Sequence, residues 1–322
     1  MKRSQLLVRI AALLFLAAGA RPAYAQGVTL RYQWHKGEPV TYRMTLQTTS
    51  VVTGMPGNNE IKVDQTLTQM IKMTVEDVAP DGVATVRQTF ESVKMEMNGP
   101  MGHIEYDTAV PGSSANPMIQ SMRQVLGGMV GESVVVVQAA DGSVRKVEGA
   151  SRILDKIVKG MGDDPSARAA SQGLRSLLSD EALTATIEQS FSKFPADPVK
   201  AGDTWDGRLS MGSEAAGRMA GLVRFSLKAV EGPPDGGVAR VAVALTLKQE
   251  TAPSAGPNGM VLTLGDARGE GELLFDVAKG RITKSTMKTD LPSTIRGQAP
   301  DGSAMSIQNK TTSTMTMELV GK

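Results

Sequence analysis

The feature that most restricts this chain is a long alternation of apolar and polar residues. Ile61, Val63, Leu67, Ile71, Met73 and Val75 fall on one side of an extended segment, with Lys62, Asp64, Thr66, Thr68, Lys72 and Glu76 on the other. A period of two sustained this far is incompatible with a helix, whose apolar stripe returns every three to four residues, and fits an antiparallel strand with one wet face. After the turn Pro80-Asp81-Gly82 the pattern continues through Ala84, Val86 and Phe90. It slips near Glu91-Ser92 and resumes at Val93, Met95 and Met97, which predicts a β-bulge. Asp141-Gly142, Asp235-Gly236, Asn258-Gly259, Lys279-Gly280 and Asp301-Gly302 mark further tight turns. Interspersed βαβ units are missing, which argues against a parallel sheet. The expected fold is mainly β, with long curved antiparallel sheets and a helical insertion (α+β).

Helical periodicity is confined to the middle. Asn116 to Val130 reads as a helix with Pro117 in its first turn, and Ser151 as the cap of a second with the stripe Ile153, Leu154, Ile157, Val158 and Met161. Asp164-Pro165 opens a third, leading into Leu174, Leu177 and Leu178. Ser179 caps a fourth whose Leu183, Ile187, Phe191 and Phe194 share one face before Pro195 stops it. The chain therefore divides into a leader (1–25), an N-terminal β half with one helix (26–149), a helical segment (150–195) and a C-terminal β half (196–322).

The two β halves read as copies of one design. Ile71 to Val75, the turn Pro80-Asp81-Gly82 and Val83 to Val86 parallel Val223 to Leu227, Pro234-Asp235-Gly236 and Val238 to Val241. Lys36-Gly37-Glu38 before Tyr42 parallels Lys200-Ala201-Gly202-Asp203 before Trp205, and the hairpin Val134–Val147 parallels Leu273–Met287. The common order of these short matches points to a duplication.

Lys2, Arg3 and Arg9, the apolar run Ile10 to Ala20 and the small-x-small triplet Ala23-Tyr24-Ala25 have the form of a cleavable export signal. Its loss removes four basic residues and no acid, so the formal charge of +2 becomes −2. The basic character belongs to the leader, and a nucleic-acid partner loses its compositional support. No later stretch is long and apolar enough for a membrane helix, and 4% aromatics poorly supply the girdles of an outer-membrane barrel. With no Cys there is neither a disulfide nor a lipid-bearing cysteine. The expected location is the periplasm, without an integral membrane span after signal cleavage.

Catalytic constellations do not emerge. Only His35 and His103 are available for a triad or a zinc site, and no G-x-S-x-G elbow accompanies them. The S-x-x-K pairs at Ser143–Lys146, Ser190–Lys193 and Ser285–Lys288 lack the S-D-N and K-T-G companions of acyl-enzyme hydrolases. The glycine-rich run Gly265 to Gly271 has neither phosphate- nor dinucleotide-binding spacing and suits a bent or closely approached strand. Two soft features remain. Met95, Met97, Met101 and His103 form a thioether and imidazole group suited to Cu(I). The 19 Met residues fall largely at strand positions and give an interior adaptable to apolar guests, over which Leu183, Ile187, Phe191 and Phe194 would close.

The opening Leu30-Arg31-Tyr32, Lys36-Gly37-Glu38 and Tyr42-Arg43-Met44, with the centre Phe194-Pro195 … Pro198-Val199-Lys200-Ala201-Gly202-Asp203-Thr204-Trp205, resembles a family of exported bacterial β-rich proteins of unknown function. That resemblance implies an exported β fold and supplies no catalytic residues. More loosely, a curved antiparallel sheet with helices on one side is similar to the periplasmic lipoprotein carriers. The sequence thus leads to a non-enzymatic exported protein, without a cofactor, that binds an apolar small molecule or an envelope protein. The alternatives are a Met/His copper-binding periplasmic protein and a purely structural or interaction module. The leader reading predicts a mature chain starting at Gln26, which N-terminal sequencing of the exported protein checks.

Overall fold

A computed structural model describes residues 27–55, 60–110, 116–161, 193–213, 217–233, 236–251, 260–298 and 303–321. In chain order the elements are β1 (Pro39–Thr53), β2 (Ile61–Val78), β3 (Ala84–Gly99), β4 (Gly102–Asp107), α1 (Pro117–Met129), β5 (Ser133–Gln138), β6 (Val144–Glu148) and α2 (Ala150–Met161). They continue with β7 (Thr204–Ser213), β8 (Gly217–Glu231), β9 (Val238–Thr251), β10 (Val261–Leu264), β11 (Ala267–Asp276), β12 (Arg281–Gln298) and β13 (Ala304–Gly321). All described strands join one antiparallel sheet in the order β6-β5-β3-β2-β1-β13-β12-β11-β9-β8-β7, with β4 on β3 and β10 on β12.

The alternation behaves as read. Ile71, Met73 and Val75 are buried, while Lys72 and Glu76 are exposed. The expected bulge is present: Met70 faces Ser92 and Ile71 faces Phe90, leaving Glu91 as the extra residue of β3 and restoring Val93 to the interior. Helix α1 starts as expected, with Asn116 Oδ1 accepting from the Met118 amide at 2.9 Å. Helix α2 begins two residues earlier than a Ser151 cap would place it, so that Ser151 lies inside it, and its Ile153, Leu154 and Ile157 are buried. Ile153 and Ile157 pack with Val134, Val136, Val144 and Val147 of the β5–β6 hairpin. The two further helices expected from Asp164 and Ser179 lie outside the described residues.

The duplication is visible in hydrogen bonds. In the first half Gly37 N donates to Val75 O and Val75 N donates to Glu38 O; in the second, Gly202 N donates to Leu227 O and Leu227 N to Asp203 O. Gly37 and Gly202 both have positive φ, at 80° and 95°. Register slips follow Val75 in β2 and Leu227 in β8, and again at Gln138 in β5 and Phe275 in β11. Thus β1-β2-β3-β5-β6 and β7-β8-β9-β11-β12 are equivalent meanders, joined through β13, which pairs with both β12 and β1.

Two short segments cross the apolar side of the sheet. Residues 27–34 and 193–199 meet at a bridge between Val28 and Val199, and Arg31 Nη1 and Nη2 donate to Pro195 O and Ala196 O at 2.6 and 2.8 Å. Tyr32 N donates to Ala140 O in the β5–β6 turn, and the next residue, Gln33, donates to Gly280 O in the β11–β12 turn. Consecutive residues therefore hold these turns within about 10 Å of each other. Along the sheet β5 and β12 stand five spacings apart, roughly 24 Å. The sheet is curled, with its apolar face inside and the strap of residues 27–34 and 193–199 plugging the tight end. Leu30, Tyr32, Phe194 and Phe275 there are no more than 4% exposed, and the Phe194 and Phe275 rings meet edge to face at 4.7 Å.

Of the two roles expected for the glycine-rich run, close approach of a neighbouring strand is the one seen. A Cβ at Gly271 would strike the Thr286 carbonyl oxygen of β12, whereas one at Gly37 would meet nothing within 4 Å. Gly271→Ala should therefore cost about 3 kcal/mol through a backbone clash, and Gly37→Ala only about 1 kcal/mol through its positive φ. Denaturant midpoints of the two variants check this difference.

Candidate functional site

The inner face carries no charged side chain at any described strand position from β3 across to β7. Its positions are Val93, Met95 and Met97 on β3, the odd-numbered residues from Ile61 to Val75 on β2, and the even-numbered residues from Val40 to Val52 on β1. They continue with the odd-numbered residues from Met305 to Leu319 on β13 and from Ser285 to Gly297 on β12. Ala267, Gly269, Gly271, Leu273 and Phe275 on β11 complete the centre, with comparable sets on β9, β8 and β7. Charges gather on the outer face, in cross-strand pairs such as Lys284–Glu318 at 2.6 Å, Arg240–Glu272 at 2.7 Å and Arg224–Asp206 at 2.8 Å.

Burial along the inner face is graded. Beneath the strap Val40, Tyr42, Met73, Val86 and Met317 are buried. Further along the strands Met95, Leu67, Leu46, Met315 and Met287 are successive neighbours across β3, β2, β1, β13 and β12, and all are half-buried. Four intervals between them make a band of roughly 19 Å. One row further out the chemistry turns to neutral hydroxyls: Thr48 Oγ1 lies 3.2 Å from Ser313 Oγ, and Ser50 Oγ lies 3.2 Å from Thr311 Oγ1. The inner face thus passes from a packed plug through a Met/Leu band to two rows containing hydroxyls, beyond which Val52, Ile61, Ile295 and Ile307 make it apolar again.

Of the residues expected to close a cavity, Leu183, Ile187 and Phe191 lie outside the described residues. Phe194 is 3% exposed and belongs to the strap, packed on Tyr32, Phe275 and Trp205. The Met/His group is divided by the sheet. Met95 and Met97 pair with Tyr106 and Ile104 and face inward, whereas His103 pairs with Asn98 on the outer face, its Nδ1 2.8 Å from Asn98 Oδ1. Met101 sits in the turn between β3 and β4, 70% exposed. Met95 instead joins the apolar band, and Met97 lies one row further out, opposite Gln65. Sequence reasoning had the Met residues as strand fillers but missed that they are lateral neighbours, because cross-strand register is absent from any local pattern.

The shifted ionisable groups follow from local contacts. Burial pushes the Tyr42 phenol up to about 12, and its hydroxyl donates to Ile282 O at 2.9 Å. A hydrogen bond from Arg281 holds Glu38 below its usual 4.5, joining the turn before β1 to β12. Hydrogen bonds to Glu96 and Glu105 raise Lys94 on the outer face. These groups tie strands to one another and do not converge on one point.

The sequence profile of a family of unknown function, DUF6263, matches residues 81–280. No curated protein matches. Among solved structures, one of lipovitellin, whose subject is lipid–protein interactions, is similar with a TM-score of 0.42 and 9% identity over 90% of this chain. The chain spans only 26% of the lipovitellin chain. DynF from the dynemicin pathway of Micromonospora chersina gives a TM-score of 0.22 at 10% identity, covering 93% of this chain and 88% of that one.

A depressed carboxylate pKa contributes stability above the unfolded value, and that contribution is lost as pH falls through the folded value. The melting-temperature difference between the protein and Glu38→Gln should therefore be constant above about pH 5 and shrink on acidification below about 4.5. A pH series of thermal melts on both proteins checks this.

Proposed function

For a chain that belongs to DUF6263, a family whose function is unknown, we propose a non-catalytic role: binding a long-chain amphiphile on the inner face of the curled sheet. The observation that carries this reading is the absence of any charged side chain from the described inner strand positions between β3 and β7, although the sequence has 68 Lys, Arg, Asp and Glu residues in all. A plain structural core needs apolar packing only where it is sealed. Here the charge-free face continues past the buried plug, through half-buried Met and Leu, to the hydroxyls of Thr48, Ser50, Ser313 and Thr311 and the apolar residues beyond them.

The hydrocarbon of the guest lies across Met95, Leu67, Leu46, Met315 and Met287, where flexible thioethers adapt to its course. Each buried methylene contributes on the order of 0.8 kcal/mol. Its neutral polar part meets Thr48, Ser50, Ser313 and Thr311, and a charged headgroup stays outside, since burial would strip its water without offering an ionic partner. The natural guest is a lipid or the acyl part of a lipid-bearing protein, met in the periplasm after export through the basic leader.

Palmitate is the probe for the test. The protein without residues 1–25 should bind it saturably, and Met315→Gln, which keeps the length of the side chain but makes it polar, should weaken binding about fivefold. Isothermal titration with both proteins measures this. Failure to bind palmitate and a diacyl phospholipid alike would refute the proposal, as would an affinity that Met315→Gln leaves unchanged.

A further inference from the structure

The duplication matches β1-β2-β3-β5-β6 with β7-β8-β9-β11-β12, and one of these counterparts lacks a neighbour. Matching Gly37 with Gly202 and Val75 with Leu227 places β1 on β7, so that Val40 corresponds to Trp205, Tyr42 to Gly207, Arg43 to Arg208 and Leu46 to Met211. On its side away from β2, β1 is paired with β13, and Arg43 lies opposite Glu318 at 4.0 Å. On its side away from β8, β7 pairs with no strand among the described residues. Arg208 is exposed and makes no ion pair among them.

The two ends of the sheet are also treated differently. The edge strand β6 is five residues long and carries Arg145, Lys146 and Glu148, the kind of short, charged edge that resists pairing. β7 runs for ten residues with neither Lys nor Pro and offers a long ladder.

We infer that the free edge of β7 is a strand-acceptor site for an extended segment of a partner protein, patterned as β13 is: apolar residues alternating with polar ones, with an acid opposite Arg208. Main-chain hydrogen bonds supply the affinity, and the side chains set the register. In the register of β13 on β1, the acid takes the place of Glu318 beside Arg208. The apolar residue before it, equivalent to Met317, lies beside Leu209 on the inner face, and the one equivalent to Met315 lies beside Met211. The residue equivalent to Leu319 lies beside Gly207, which presents no side chain against it. The partner is thus an acidic, alternating β-peptide. The site is separate from the Met/Leu band and independent of any lipid held there.

A peptide copying residues 311–320 of this chain is the probe. It should bind the intact protein saturably, with a change in Trp205 fluorescence, and Arg208→Glu should weaken it about fivefold. A peptide with Lys in place of Glu318 should bind the Arg208→Glu protein better than the original peptide does. Absence of saturable binding, or binding that the charge reversal leaves unchanged, would overturn the inference. So would cross-links placing the peptide at β1 in place of β13. A stable dimer that the peptide cannot dissociate would assign the edge to a second copy of this chain. Palmitate affinity, unaltered by Arg208→Glu, separates this outcome from a failure of the lipid reading.

Discussion

The structure depends on the pairing of β1 with β13, from Thr41 opposite Gly321 to Thr53 opposite Gln308. Each half is a local meander whose strands meet their sequence neighbours through short turns. Only β13, returning beside β1, makes the two meanders one sheet and creates a continuous inner face. Closing so long a loop is entropically unfavourable, although the cost rises only slowly with length. The ladder, the Tyr42 bond to Ile282 O and the Glu38–Arg281 pair across the same junction offset it. Contacts this distant in sequence also make for slow folding.

Curvature then determines what the inner face can be. A flat antiparallel sheet with one apolar side would need a second layer to cover it. Here the sheet covers its tight end with itself and the strap, because Tyr32 and Gln33 hold the β5–β6 and β11–β12 turns together. Glycines permit the close approach of strands: a side chain at Gly221 or Gly271 would run into the backbone of β9 or β12. The Met/Leu band beyond the strap is thereby left lining the inside of the curl. Excluding charge from this face is consistent along the strands, since a charge there would lose hydration without gaining a partner.

Much of this architecture is legible in residue order. The strand from Ile61, the bulge at Glu91, the start of α1 at Asn116 and the correspondence of Val223–Leu227 with Ile71–Val75 can all be read locally. Alternation records which side of a strand faces water, and turn residues record where the chain reverses. The start of α2 is misplaced by two residues because Ser151 is a competent cap, whereas the structure uses Gly149, with its φ of 105°, to turn the chain into the helix. His103 is two residues from a methionine in sequence, yet the pleat of β4 aims it at the opposite side of the sheet from Met95 and Met97.

By itself, the sequence determined the strands, their wet and dry faces and the internal repeat, because each is a property of spacing along the chain. Only the tertiary structure decided which methionines stand side by side, that Phe194 seals the tight end beneath the strap, and that β7 keeps the open edge that β1 closes with β13. The reason is that lateral register and curl are set by pairings between distant segments. A period of two states that a residue faces inward, but not which residues across the sheet it will meet there.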